Sequence, residues 1–154
     1  MKKIFLLLLG LIPFGLGFLL DSLMTHFSDV LFPYAAIGVC FLIFWGAIGF
    51  FMYRLGEPLK VSLIFAQLPA FLTLLLNLFQ EIVLVRYWGN LLGAATQLYF
   101  LPVLNISFSL TFWADRVWPA YIAAFLLMCA VYYLGFRLGE RHSIAGVCPK
   151  KQRD

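Results

Sequence analysis

Apolar residues fall in five long runs along this chain, at 4–20, 30–53, 61–85, 91–113 and 117–136, separated by short polar links. A helix crossing a hydrocarbon core of about 30 Å needs roughly 20 apolar residues at about 1.5 Å each. Each run approaches or exceeds that length. The pattern predicts an all-α fold: a polytopic transmembrane helical bundle of five hydrophobic segments in a single domain (1–136). A basic polar tail over 137–154 is expected to follow it, poorly ordered.

The first run follows Lys2 and Lys3, as the apolar stretch of a signal peptide would. Bulky Phe18, Leu19 and Leu20 stand where a cleavage site needs small residues, so the run reads as an uncleaved span kinked at Pro13. Residues 21–29 read as a polar connection. Tyr53, Tyr87, Trp88, Trp113, Trp118, Tyr132 and Tyr133 gather at the ends of runs, the level at which amphipathic rings favour the headgroups. The second and fifth runs end alike, in Arg54-Leu-Gly-Glu57 and Arg137-Leu-Gly-Glu140. In each, the arginine complements the negative end of the helix, and Gly56 or Gly139 is placed to close it in the left-handed conformation.

Composition agrees with the pattern. The chain is 64% hydrophobic and 12% charged, against about 45–50% and about 25% in soluble domains. A soluble enzyme, a nucleic-acid binder and a disordered chain are excluded on that ground. The net charge of +4 comes from Lys and Arg at the ends of runs, where they act as topology signals. Cys40, Cys129 and Cys148 form no disulfide or metal-binding spacing and read as free thiols.

Charge leaves the number of crossings open. Five crossings place Lys2, Lys3, Arg54, Lys60 and Arg116 on one side and the other six basic residues opposite, which is no bias. If the fourth run enters and returns on one side, nine basic residues share a face and only Arg86 and Arg116 oppose them. Pro102 and the polar Gln97, Asn105, Ser107 and Ser109 give that run room to be re-entrant. Five crossings remain the simpler expectation, because 23 mostly apolar residues suffice to span. An even charge count also admits an antiparallel homodimer of chains inserted both ways.

Polar residues inside the membrane mark the candidate site, since lipid offers them no partner. In the third run, stepping about 100° per residue puts Ser62, Gln67, Thr73, Asn77, Gln80 and Glu81 within about 140° of arc, so this face must meet protein or water. Gln67, Asn77, Gln80 and Glu81, opposed by Gln97 and Asn105 of the fourth run, would line a polar pathway or make interhelical contacts. Glu81 lies one turn from the end of its run, where both an interfacial and a buried position are open to it. Small residues predict close packing instead: Gly38, Gly46 and Gly49 in the second run, and Ala120, Ala123 and Ala124 in the fifth.

Weaker features carry less. Asp21, His26 and Asp29 match no compact metal motif, and the sequon at Asn105 lies inside an apolar run. The basic tail is suited to anionic headgroups. Without a nucleophile elbow, a zinc-protease motif or a phosphate-cradling loop, no enzyme, metal or cofactor is expected. The expected role is an accessory, assembly or regulatory subunit of a membrane complex. Its expected partners are the lipid bilayer and another membrane protein or a homo-oligomer, with no nucleic acid, in a bacterial inner membrane. The alternatives are an oligomeric small transporter or channel component using the third helix and, behind that, a lipid-modifying enzyme.

Overall fold

The computed structural model describes residues 2–27 and 33–147, and every regular element among them is helical. α1 (Lys2–Gly10) and α2 (Ile12–His26) form one long rod with a break at Leu11. α3 (Tyr34–Arg54) and α4 (Leu59–Leu78) follow, and α4 ends in a wider π-helical turn over Phe79–Val83. α5 (Leu91–Tyr99) and α6 (Leu101–Leu110) meet at a 58° bend, and α7 (Trp118–Val147) closes the chain. Four helical stretches, Ile4–His26, Tyr34–Arg54, Leu59–Val83 and Trp118–Ser143, are long and apolar enough to cross a membrane. The chain is a helical transmembrane bundle.

Proline places both breaks. Pro13 sits in the first turn of α2 and has no N–H to give the Leu9 carbonyl. The chain therefore tightens, with the Phe14 N–H bonding Leu11, and the Gly10 carbonyl is taken up from outside by the Tyr99 hydroxyl at 2.6 Å. Pro102 acts likewise on α6, and the bend falls at Phe100, just ahead of it. The Leu98 carbonyl that Pro102 cannot serve lies against Gly17, where a Cβ would overlap it.

Ring and hydrogen-bond pairs fix the directions of the helices. Ser62 meets Tyr132, Phe71 meets Phe125 and Glu81 meets Val117, so α4 and α7 are antiparallel. Gly46 faces Val131, Gly49 faces Tyr132, and Phe50 lies against Gly139 and His142, so α3 and α7 run parallel. The fourth apolar segment then declares itself. Its approach is held at the Trp88 N–H by Gln80 (2.8 Å) and its exit at the Val117 N–H by Glu81 (3.0 Å). A straight span of about 20 residues would separate those points by about 30 Å. Here they lie on adjacent residues, so α5–α6 dips into the bundle and returns to the same end. Five straight crossings, the simpler expectation, are replaced by four long helices and a bent hairpin.

Three boundaries also differ from expectation, for one reason. Residues 21–26 continue α2 where a polar connection was expected, with Thr25 hydrogen-bonded back to the Asp21 carbonyl. α7 runs on to Val147, through the first eleven residues of the expected tail. Gly139 is helical and packs against Phe50 and Tyr53, whereas Gly56 takes the left-handed conformation (φ +73°) and does end α3. Loss of apolar character marks the end of the hydrocarbon layer; it does not by itself stop a helix. Asp29 and residues 148–154, including Cys148, lie outside the described residues.

The core lies where α3, α6 and α7 meet α4. Trp45, Tyr132, Phe100 and Met128 are fully buried there. Gly135 sits against the Gly46 backbone, Gly49 against Tyr132, and Gly38 against Pro102 and Ile106 of α6. Ala120 and Ala124 are fully buried and Ala123 is half-buried. Cys40 is exposed on α3, and Cys129 is partly buried and free. In lipid, helices associate through close backbone approach because no water need be expelled. Gly135→Ala, which drives a methyl into the Gly46 carbonyl, is expected to destabilise the fold by about 1–3 kcal/mol. Gly46→Ala meets only the movable Val131 side chain and should be milder, while Gly15→Ala, in open space, should stabilise by about 0.5–1 kcal/mol. Thermal unfolding in mild detergent ranks the three; an equal effect from all would contradict the packing.

Candidate functional site: the polar clasp at the end of α4

The buried polar residues of α4 gather toward its C-terminal end. Asn77 and Gln80 are fully buried, Gln67 is 4% exposed and Glu81 is 9% exposed. The opposite face holds Phe71, Leu75 and Ile82, all exposed. The periodic pattern therefore translates into an inward polar face, and each member can be followed to its partner.

Gln80 reaches two ways. Its Nε2 donates to the Thr96 Oγ1 (3.1 Å) and its Oε1 accepts from the Trp88 N–H. Asn77 Nδ2 donates to the Thr96 carbonyl (2.9 Å), and the Thr96 hydroxyl donates to the Gly93 carbonyl. Asn90 caps α5 by accepting the Gly93 N–H on Oδ1. Thr96 is thus the residue of α5 that meets α4. Gln97, one position on and about 100° around the helix, is half-buried and, among the described residues, makes no hydrogen bond to α4. Asn105 is exposed on α6, and among the described residues its side chain makes no hydrogen bond, the Ser109 hydroxyl bonding only its backbone carbonyl. Both were expected to oppose α4, and neither does.

Glu81 is buried rather than solvated. Its Oε1 accepts from the Val117 N–H and its Oε2 from the Tyr87 hydroxyl at 2.6 Å. Val117 immediately precedes α7, so the carboxylate also meets the positive end of that helix dipole. The Tyr121 hydroxyl stands beside Tyr87. Burial, and then the hydrogen bond to Glu81, push the Tyr87 hydroxyl far above its ordinary value, so it stays a proton donor.

Local backbone serves the same end. The π turn bonds Leu84 to Phe79, and the Arg86 N–H returns to the Gln80 carbonyl. Val85 between them takes φ +51°, a left-handed conformation uncommon for a β-branched side chain and costing about 1–3 kcal/mol. That strain persists because the hydrogen bonds on either side over-determine the reversal. Gln67 differs from its neighbours: among the described residues neither its amide oxygen nor its nitrogen has a hydrogen-bond partner, and the same holds for the Asn77 Oδ1 and Trp45 Nε1.

Thr96, Tyr87, Val117 and Tyr121 were not legible as partners. Tyr87 and Trp88 read as interfacial aromatics, and a threonine one position from Gln97 carries no pattern of its own. Comparison with known proteins adds no constraint. No family model, curated protein or solved structure matches this chain. Chemically, the assembly is a hydrogen-bond network around one carboxylate with the Asn77 Oδ1 left over, and among the described residues no three His, Cys, Asp or Glu side chains group to hold a metal.

Single hydrogen bonds between membrane helices average about 0.6 kcal/mol, but an orphaned buried donor costs about 1–3 kcal/mol. Gln80→Leu orphans the Trp88 N–H and is expected to lower stability by that larger amount. Faster amide exchange at Trp88, with α3–α7 unchanged, would report it. The Tyr87 shift has a defined sign: a raised folded-state value contributes stability that is complete below about pH 10, the unfolded value, and declines above it. Denaturation at pH 8 and pH 10.5 should show this loss in the native chain and a smaller one in Tyr87→Phe.

Proposed function

We propose that this chain is a multi-pass protein of a bacterial cell membrane that acts as an accessory, assembly or regulatory subunit of a membrane complex. The observation that carries this reading is the engagement of the α4 polar face. Gln80, Glu81 and Asn77 are bonded to the α5–α6 hairpin and to the start of α7, which suits a scaffold that presents a rigid surface. The arrangement of charge supports the topology. Arg54, Lys60, Arg137 and Arg141 lie at the end of the bundle where α3 and α7 finish and α4 begins, while Arg86 and Arg116 lie at the other. The positive-inside rule puts the first end in the cytoplasm, with four helices crossing and α5–α6 entering from outside.

A second reading, the oligomeric transporter or channel component, is favoured by one observation: among the described residues the buried Gln67 amide has no hydrogen-bond partner. Such a group is costly unless it meets a passing solute or water.

Two measurements test these readings. In a cysteine-free background, His142→Cys should react with an impermeant maleimide only after lysis, and Trp113→Cys in intact cells. The reverse pattern, or labelling of both in intact cells, would overturn the topology. Gentle extraction from the native host should recover the chain with a partner of different sequence. Recovery as a homo-oligomer, together with loss of function but not of folding in Gln67→Leu, would move the assignment to transport.

A further inference from the structure

A groove of about 470 Å³ runs along the outer face of the α3–α7 pair, lined by Val39, Ile43 and Phe50 on one helix and Leu134, Gly135 and Leu138 on the other. Its lining is overwhelmingly apolar, and it lies on the two stretches long enough to cross the membrane. Gly46 and Gly135, whose missing side chains let the two backbones meet, also line it.

Because α3 and α7 are parallel, the two walls of the groove end on the same side of the bundle, and both end in basic residues. On α3, Arg54 follows Phe50 by one turn, and its guanidinium stands 5.0 Å from the centre of the Phe50 ring. On α7, Arg141 and His142 follow Leu138 at the helical spacings of three and four, and His142 meets the Phe50 ring edge-on, with ring centres 6.3 Å apart. Phe50 is therefore the last apolar residue of the groove and the platform for two nitrogen-bearing head groups. Directly beyond it a second, more polar cavity of about 530 Å³ is lined by Tyr53, Arg54, Gly56, Gly139, His142 and Ser143. The nearby acid of α7, Glu140, is already paired with Arg137 at 2.6 Å.

We infer that this groove and cavity together bind one anionic phospholipid, an acyl chain lying along α3–α7 and the phosphate held by Arg54 and His142 with Arg141 at the rim. The shape is apolar over the membrane-spanning stretch and cationic at one end, which matches such a lipid in both parts. A second protein helix would match the apolar wall alone. The inference requires only that the chain spans a membrane, and it holds for either reading of its role.

Native mass spectrometry of the purified full-length protein tests it, with phosphatidylglycerol and phosphatidylcholine of identical acyl chains as probes. Phosphatidylglycerol should be retained about tenfold more strongly. The double variant R54Q/H142Q should lose that preference, R54K should keep most of it, and R137Q should behave as the native chain. Ala47→Phe, which fills the groove from α3, should weaken retention of both lipids. Equal retention of the two lipids, a preference that survives R54Q/H142Q, or competition by glycerol phosphate alone would each overturn the proposal. Unfolding of the double variant is guarded against by single R54Q, which must still lower the preference severalfold.

Discussion

The architecture hangs on two adjacent residues. Gln80 and Glu81, at the end of α4, accept the N–H groups of Trp88 and Val117, the points at which the chain leaves for α5 and arrives at α7. That pair of bonds converts an apolar segment of spanning length into a hairpin, and thereby makes α4 and α7 antiparallel neighbours. Their strength comes from their setting. A partly buried backbone N–H left without an acceptor costs about 1–3 kcal/mol, more than the roughly 0.6 kcal/mol that one hydrogen bond between membrane helices contributes. Glu81 adds its charge at the N-terminus of α7, where the helix dipole receives it favourably. The strained Val85 and the π turn accompany the aiming of both residues at the two N–H groups at once.

Around that clasp, the bundle is held by shape. Glycine and alanine on α3 and α7 bring backbones together, and prolines set the two breaks whose freed carbonyls are met by Tyr99 and by the bare Gly17. Each proline leaves a polar group that another helix must cover. The breaks are therefore also the sites at which α1–α2 and α5 recognise one another. Packing and hydrogen bonding are not separate layers here; the same few residues serve both.

Charge has a third task. The basic residues at the ends of α3 and α7 gather at one end of the bundle and stand at the mouth of an apolar groove. The repeated Arg-Leu-Gly-Glu shows how one tetrapeptide can do two things. After α3 its glycine turns left-handed and the helix stops, whereas in α7 its glycine is a packing surface against Phe50 and Tyr53 and the helix continues. The difference is what lies beside it, which four residues cannot encode.

What the amino-acid sequence determined by itself was everything that depends on composition and short-range period: helices, their apolar length, the inward polar face of α4, and the small-residue faces of α3 and α7. These follow from the roughly 3.6-residue repeat and from the thickness of a bilayer, both local quantities. It misjudged Gln97 and Asn105 because a side chain's partner depends on the rotation of two helices about their own axes, and a shift of one residue turns a helix by about 100°. It left open whether the fourth segment crosses, because length permits crossing and only a bond between residues 81 and 117 forbids it. Tertiary structure decided that point, since the free energy of a hydrogen bond across 36 positions is invisible to any window of sequence short enough to show a helix.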